Sequence, residues 1–231
     1  MYMYKKRYLL FCLLISGCSH NQVNLTDCLN HAKNDQEALT CYTEGISTDG
    51  KHTLQAHLKY INLLRRTDNT DKAVAALSNT LSIFGPSHQI FLMQGKLSLD
   101  QGNITEACRI FQHNIDQDSS DPVSLNGLAV AYDMKKQHLL AQKYYHKALK
   151  LMPNNTNYLI NLGLSFIHSK NYKQAIHVLE PLQHIDHAKD NLGLAYAALG
   201  QKNKFDDLMA DSFNKDQRDQ IYETLRVGLR L

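Results

Sequence analysis

Proline and glycine are scarce in this chain, at 4 and 11 of 231 residues. That shortage excludes a collagen-like repeat and a Pro/Gly-rich disordered chain. An apolar share of 43% against 20% charged residues adds that the chain can bury a core. Cysteine is sparse too, with five in all, at positions 12, 18, 28, 41 and 108. Five are too few for a disulfide-dense miniprotein, and the lack of any C-x-x-C removes zinc-ribbon and thioredoxin-type sites. The chain has no G-x-x-x-x-G-K-[ST], no G-x-G-x-x-G, no G-x-S-x-G and no H-E-x-x-H. Twelve histidines prompt a metal search, yet the closest pair, His184 and His187, has Asp186 between them, and no Cys or Glu nearby completes a site. Asp206-Asp207 and Asp116–Asp121 read as helix-terminal, solvated carboxylates. The sequence therefore predicts no enzyme activity, no metal and no cofactor.

Long apolar runs are missing as well. The run from Tyr8 to Ile15 falls far short of the roughly 20 residues that a membrane-crossing helix needs. It follows Lys5, Lys6 and Arg7 and precedes Ser16-Gly17, the layout of a secretory signal peptide over residues 1–17. Ile15-Ser16-Gly17-Cys18 resembles the lipobox of bacterial lipoproteins. The resemblance implies acylation at Cys18, and Ser19 in place of Asp implies the periplasmic face of the outer membrane. Two or more acyl chains, at about 0.8 kcal/mol per buried methylene, hold a protein stably on a bilayer. Residues 18–23 then form a short polar tether.

The leader also carries the whole charge surplus. The precursor has 25 Lys+Arg against 22 Asp+Glu, and residues 1–17 hold three basic and no acidic residues. The mature balance is neutral, which argues against a nucleic-acid partner. Cys28 and Cys41 lie on the two arms of a predicted helical hairpin, where an oxidising compartment permits a bridge; the sequence leaves that pairing open. Cys108 reads as a small core residue.

The remainder is organised by a 34-residue period. Leu128-Ala129, Tyr132, Ala141 and Tyr145 recur as Leu162-Gly163, Phe166, Ala175 and Leu179. One step back gives Gly95, Ala107 and Phe111, with Ser98 where the aromatic should stand; a further step gives Ile61, Leu64, Ala73 and Leu77. Leu192-Gly193 and Tyr196 come four residues early, which shortens the preceding second helix. This is the pattern of the tetratricopeptide repeat, a helix-turn-helix unit. Gly or Ala at the eighth position of a unit lets helix A approach helix B, and the unit with Ser98 should be packed less fully. Gly102, Gly200, Asp68-Asn69 and Lys170-Asn171 mark the turns inside the hairpins, and Pro153 ends a second helix. Phe205 stands where a small residue is expected and puts the packing of the last hairpin in question.

The predicted fold is all-α: a tetratricopeptide-repeat solenoid of stacked antiparallel hairpins. A degenerate hairpin occupies 24–53, repeats occupy about 54–87, 88–121, 122–155, 156–185 and 186–209, and a capping helix covers 210–231. Ile221, Leu225 and Leu229 give that helix its single apolar stripe. Helix A positions two, five, six, nine, twelve and thirteen of such repeats line a concave groove. Here the candidates are Asn126, Val130 and Met134; Ile160, Asn161, Leu164 and Ile167; and Asp190, Asn191 and Leu194. Their carboxamides suit the backbone of an extended peptide and their apolar neighbours suit its side chains. Arg65 and Arg66 sit in the first clear repeat, but the Lys/Arg clamp for a C-terminal carboxylate is absent.

Residues 121–231 resemble the TadD-like lipoproteins of the tight-adherence (Flp pilus) system. The resemblance is carried by Tyr158-Leu-Ile-Asn-Leu-Gly-Leu, Val178-Leu-Glu-Pro-Leu182, Asp190-Asn-Leu-Gly-Leu-Ala-Tyr-Ala-Ala-Leu-Gly200 and the closing Ile221-Tyr-Glu-Thr-Leu. It implies a pilotin-like role in which the groove binds a pilus secretin subunit or another assembly protein. A type IV pilus pilotin, another periplasmic repeat scaffold, and a regulator of a peptidoglycan-synthesis enzyme are the alternatives. No nucleic-acid or small-molecule partner is predicted.

Overall fold

A computed structural model describes residues 25–49 and 53–228. The leader, Cys18 and the tether 18–23 lie outside the described residues. Thirteen α-helices and no strand occur among those described. Two helices, α1 (Leu25–His31) and α2 (Asp35–Asp49), form a first hairpin. Cys28 on α1 is bridged to Cys41 on α2, with their Cα atoms 5.7 Å apart, so the pairing that the sequence left open is formed.

Five hairpins follow, each made of a helix A and a helix B. They are α3 (Leu54–Arg66) with α4 (Thr70–Phe84), α5 (His88–Asp100) with α6 (Ile104–Gln117), and α7 (Pro122–Met134) with α8 (His138–Leu151). Next come α9 (Thr156–His168) with α10 (Tyr172–Leu179), and α11 (Asp186–Ala198) with α12 (Lys202–Met209). The chain closes with α13 (Lys215–Gly228). As the early Leu192-Gly193 predicts, α10 is cut to eight residues, and Pro181 sits in the 3-10 turn Glu180–Leu182 that follows.

The period is visible in features that the apolar pattern does not carry. Thr53, Ser87, Asp121 and Asn155 stand 34 residues apart, and each caps a helix A by accepting hydrogen bonds from amide groups of its first turn. Asp68, Gly102, Lys136 and Lys170 share the same spacing and adopt φ between 53° and 74°, the left-handed turn between helices A and B. Gly200 repeats that turn 30 residues on, after the shortened spacer. There the helix A cap is lost, because Ile185 has no side-chain acceptor to offer.

Packing explains the small residue at position eight. A Cβ on Gly163 would lie 2.5 Å from Leu179, and one on Gly193 would lie 2.5 Å from Met209. In the second repeat the Phe111 ring fills this space. A Cβ on Gly95 would sit 2.8 Å from that ring, and a Cβ on Gly127 of the next helix A would sit 2.5 Å from it. Phe111 thus joins α5 to α7.

The core is nonetheless divided. One cluster spans α2 to α5, a small one surrounds Phe111, a large one runs from α7 to α13, and another small one gathers Leu125, Ala148 and Tyr158. Tyr132 packs against both the second and the third, whereas the equivalent place one repeat earlier holds the small, buried Ser98. Phe205 is fully buried, with its ring 5.3 Å from that of Tyr222 on α13. The large side chain is accommodated because α13, and not another helix A, covers it. Cys108 is half-buried beside Phe111, short of the full burial its sequence context suggests, and burial pushes its thiol pKa up.

Candidate functional site

The A helices touch along the stack, α3 with α5, α5 with α7, α7 with α9 and α9 with α11. The B helices of consecutive repeats make no comparable contact among the described residues. Tighter spacing along one row curves a solenoid toward it, so the A helices form the concave side.

Between α9 and α11 this side holds a volume of about 400 Å³. Five of the residues around it were predicted: Ile160, Asn161, Leu164, Asp190 and Asn191. Asn157 and His187 complete the lining and were missed, although both occupy position two, where the repeat pattern already points into the groove. Asn161 Nδ2 donates to Asn126 Oδ1 at 3.1 Å, which ties α9 to α7. That bond uses one of the two amide donors of Asn161, a residue that lines the groove. Val130 and Leu194 are half-buried against the large core, and Met134 is 49% exposed at the end of α7.

Ile167 is a correction. It is 6% exposed and belongs to the core that also holds Ala195 and Ala197. Position twelve packs against the next helix A here, and the alanines of α11 leave room for that approach; Ala197, at the same position one repeat later, is fully buried. Ile167 therefore does not line the groove.

A polar knot beneath the groove escaped the sequence reading. Ser165 Oγ donates to Asp133 Oδ1 at 2.8 Å, and His138 Nδ1 lies 2.8 Å from the same oxygen. Burial, followed by the charge and hydrogen bond of Asp133, pushes the Tyr145 phenol far above its ordinary range. Gln142 Nε2 donates to Ser169 Oγ at 3.0 Å. Together these bonds brace α7, α8 and α9. Ser165 is fully buried and donates to a carboxylate instead of an imidazole, so the cluster is not a nucleophilic triad.

The concave side of the first repeats is built differently. Arg65 binds both oxygens of Asp100 and also donates to Asn62, and Arg66 pairs with Asp35. Burial, then Arg65, lowers the pKa of Lys96. Both arginines are thus spent within the protein. Among the described residues no cluster of three or more His, Cys, Asp or Glu could hold a metal, and no helix is long and apolar enough to cross a membrane. His184 is exposed in a turn, and His187 lines the groove.

With this geometry in place, solved structures supply the comparison. A tetratricopeptide repeat protein from Parabacteroides merdae superposes with a TM-score of 0.67 at 16% identity, over 91% of this chain and 83% of its own. Cut9, in the APC/C Cut9–Hcn1 hetero-tetramer, gives 0.68 at 19% identity over 83% of this chain. This chain spans only 39% of that larger protein. The fold is a tetratricopeptide-repeat solenoid. Pseudomonas aeruginosa PilF matches with a TM-score of 0.56 at 15% identity, over 82% of this chain and 86% of its own. No family model and no curated protein matches the chain.

Proposed function

We propose that this chain is a non-enzymatic scaffold, anchored to the outer membrane through acylated Cys18, that captures a protein partner in the α9–α11 groove. One observation carries the reading: apolar Ile160 and Leu164 share a concave volume with the carboxamides of Asn157, Asn161 and Asn191. Such a lining offers donors and acceptors to the backbone of an extended segment and an apolar floor to alternate side chains. The braced knot under α7 to α9 keeps that floor in shape before the partner arrives, which lowers the ordering cost of binding.

The partner class we assign is an assembly component of the tight-adherence pilus, first of all its secretin subunit, in a pilotin-like role. The TadD-like segments support this, because Tyr158–Leu164 and Asp190–Gly200 are the same stretches that build the two walls of the groove. The test is calorimetric titration of the secretin subunit into the chain and into Asn161→Ala/Asn191→Ala. Loss of two hydrogen-bonding side chains should weaken binding by about tenfold to a hundredfold with helicity intact. Equal affinity of the double variant would remove the groove from the account.

A further inference from the structure

The neutral total hides a strong segregation of charge. Residues 134–179 contain seven lysines and four histidines but no aspartate, no glutamate and no arginine. All seven lysines are exposed, and none takes part in an ion pair among the described residues. Lys135, Lys136 and Lys170 occupy the A–B turns of consecutive repeats. Those turns lie side by side: the rings of His138 and His168 stack at 5.7 Å, and Gln142 reaches Ser169 at 3.0 Å. Lys143, Lys147 and Lys150 continue the charge along the outer face of α8, and Lys173 begins it on α10. In the midst of the cations Leu139 is 75% exposed, the most exposed of the large apolar side chains described.

We propose that this edge and outer face of the third and fourth repeats is a docking surface for a lipid bilayer bearing anionic headgroups. Two features select a membrane over a macromolecular partner. The cations are all lysine. Protein interfaces and nucleic-acid sites favour arginine, whose planar fork pairs with carboxylates and phosphates, whereas lysine is a hydrated point charge suited to diffuse attraction toward a charged surface. The second feature is Leu139, an apolar side chain flanked by Lys135, Lys136 and Lys143, which matches interfacial insertion between headgroups. The surface lies on the helix B side, away from the concave groove, so both can be engaged at once. The proposal is independent of the groove reading and of acylation.

The test uses the full chain with Cys18→Ser and vesicles of phosphatidylglycerol and phosphatidylcholine carrying a headgroup nitroxide. The readout is line broadening of the Leu139 methyl resonances, which reports contact at this surface. Strong broadening is expected with anionic vesicles, and little with pure phosphatidylcholine or at high salt. In Lys135→Gln/Lys136→Gln/Lys170→Gln/Lys173→Gln the local contact should fall by at least about a hundredfold in effective affinity, given what each lysine adds near an anionic surface. These side chains are exposed and unpaired, so the variant should keep its helicity. No broadening at Leu139, or equal broadening with zwitterionic vesicles, would overturn the proposal. Displacement of the vesicles by polyglutamate or by a DNA oligomer at equal charge would overturn it in favour of an acidic macromolecule.

Discussion

The repeats before and after Phe111 share one backbone plan and spend their concave faces in opposite ways. On α3 and α5 the inward positions carry Arg65, Lys96 and Asp100, and the strongest polar groups there satisfy one another. On α9 and α11 the concave positions five, six and nine carry Ile160, Asn161, Leu164 and Asn191 around an open volume, with Leu164 at the ninth position that Lys96 holds on α5. The cores differ in step with this. The later repeats share a large cluster from α7 to α13, beside a small one of Leu125, Ala148 and Tyr158, while the earlier ones adjoin them through Phe111 and its small surroundings. The period alone thus specifies a solenoid; the residues between its signature positions decide which part of the solenoid is available to bind.

Breaking the joint should have the largest effect. Phe111→Ala removes a fully buried ring wedged between Gly95 and Gly127 and should cost about 3–5 kcal/mol. Thermal unfolding followed by circular dichroism should then show two transitions, with the earlier repeats melting first. A smaller loss follows from filling the close approaches. Gly127→Ala and Gly163→Ala each drive a Cβ to 2.5 Å from a buried side chain and should cost about 1–3 kcal/mol in urea titrations. If the joint is the weaker region, Phe111 yields less strain than Leu179, and Gly127→Ala is the milder of the two.

Three substitutions should gain stability. Asn114 is 1% exposed, its Nδ2 lacks a hydrogen-bond partner, and Ala148 holds the equivalent place one repeat later. Asn114→Ala should therefore stabilise the earlier repeats by about 1 kcal/mol, and a lower melting temperature would contradict the packing described. The smallest effect belongs to the turns. Lys136 and Lys170 adopt φ of 59° and 60°. Glycine relieves a left-handed penalty of about 1–2 kcal/mol there but costs about 0.5–1 in chain entropy, so Lys136→Gly and Lys170→Gly should each gain about 0.5 kcal/mol. A lower unfolding midpoint in urea for either variant would contradict the turn geometry.

The solenoid was legible in the sequence because its packing is local and periodic: Gly163 needs Leu179, and Gly193 needs Met209, at the same offset each time. The groove was legible for the same reason at positions five, six and nine. It failed at position twelve, where Ile167 meets the alanines of α11, because the repeat rule does not foresee how closely the next helix A approaches. The knot of Asp133, His138, Tyr145 and Ser165 was out of reach, since it assembles from three helices with no fixed spacing. The lysine-only stretch was in plain view, but a net charge summed over the mature chain cancels it against acidic residues on either side.

The most direct test of the central claim compares the two concave faces in one experiment. A photoreactive residue is placed at Leu164, in the later groove, and separately at Lys59, on the concave side of α3, in cells that express the pilus system. The account predicts an adduct with the secretin subunit from position 164 and none from position 59. An adduct from 59 without one from 164, or no secretin adduct from 164, would contradict it.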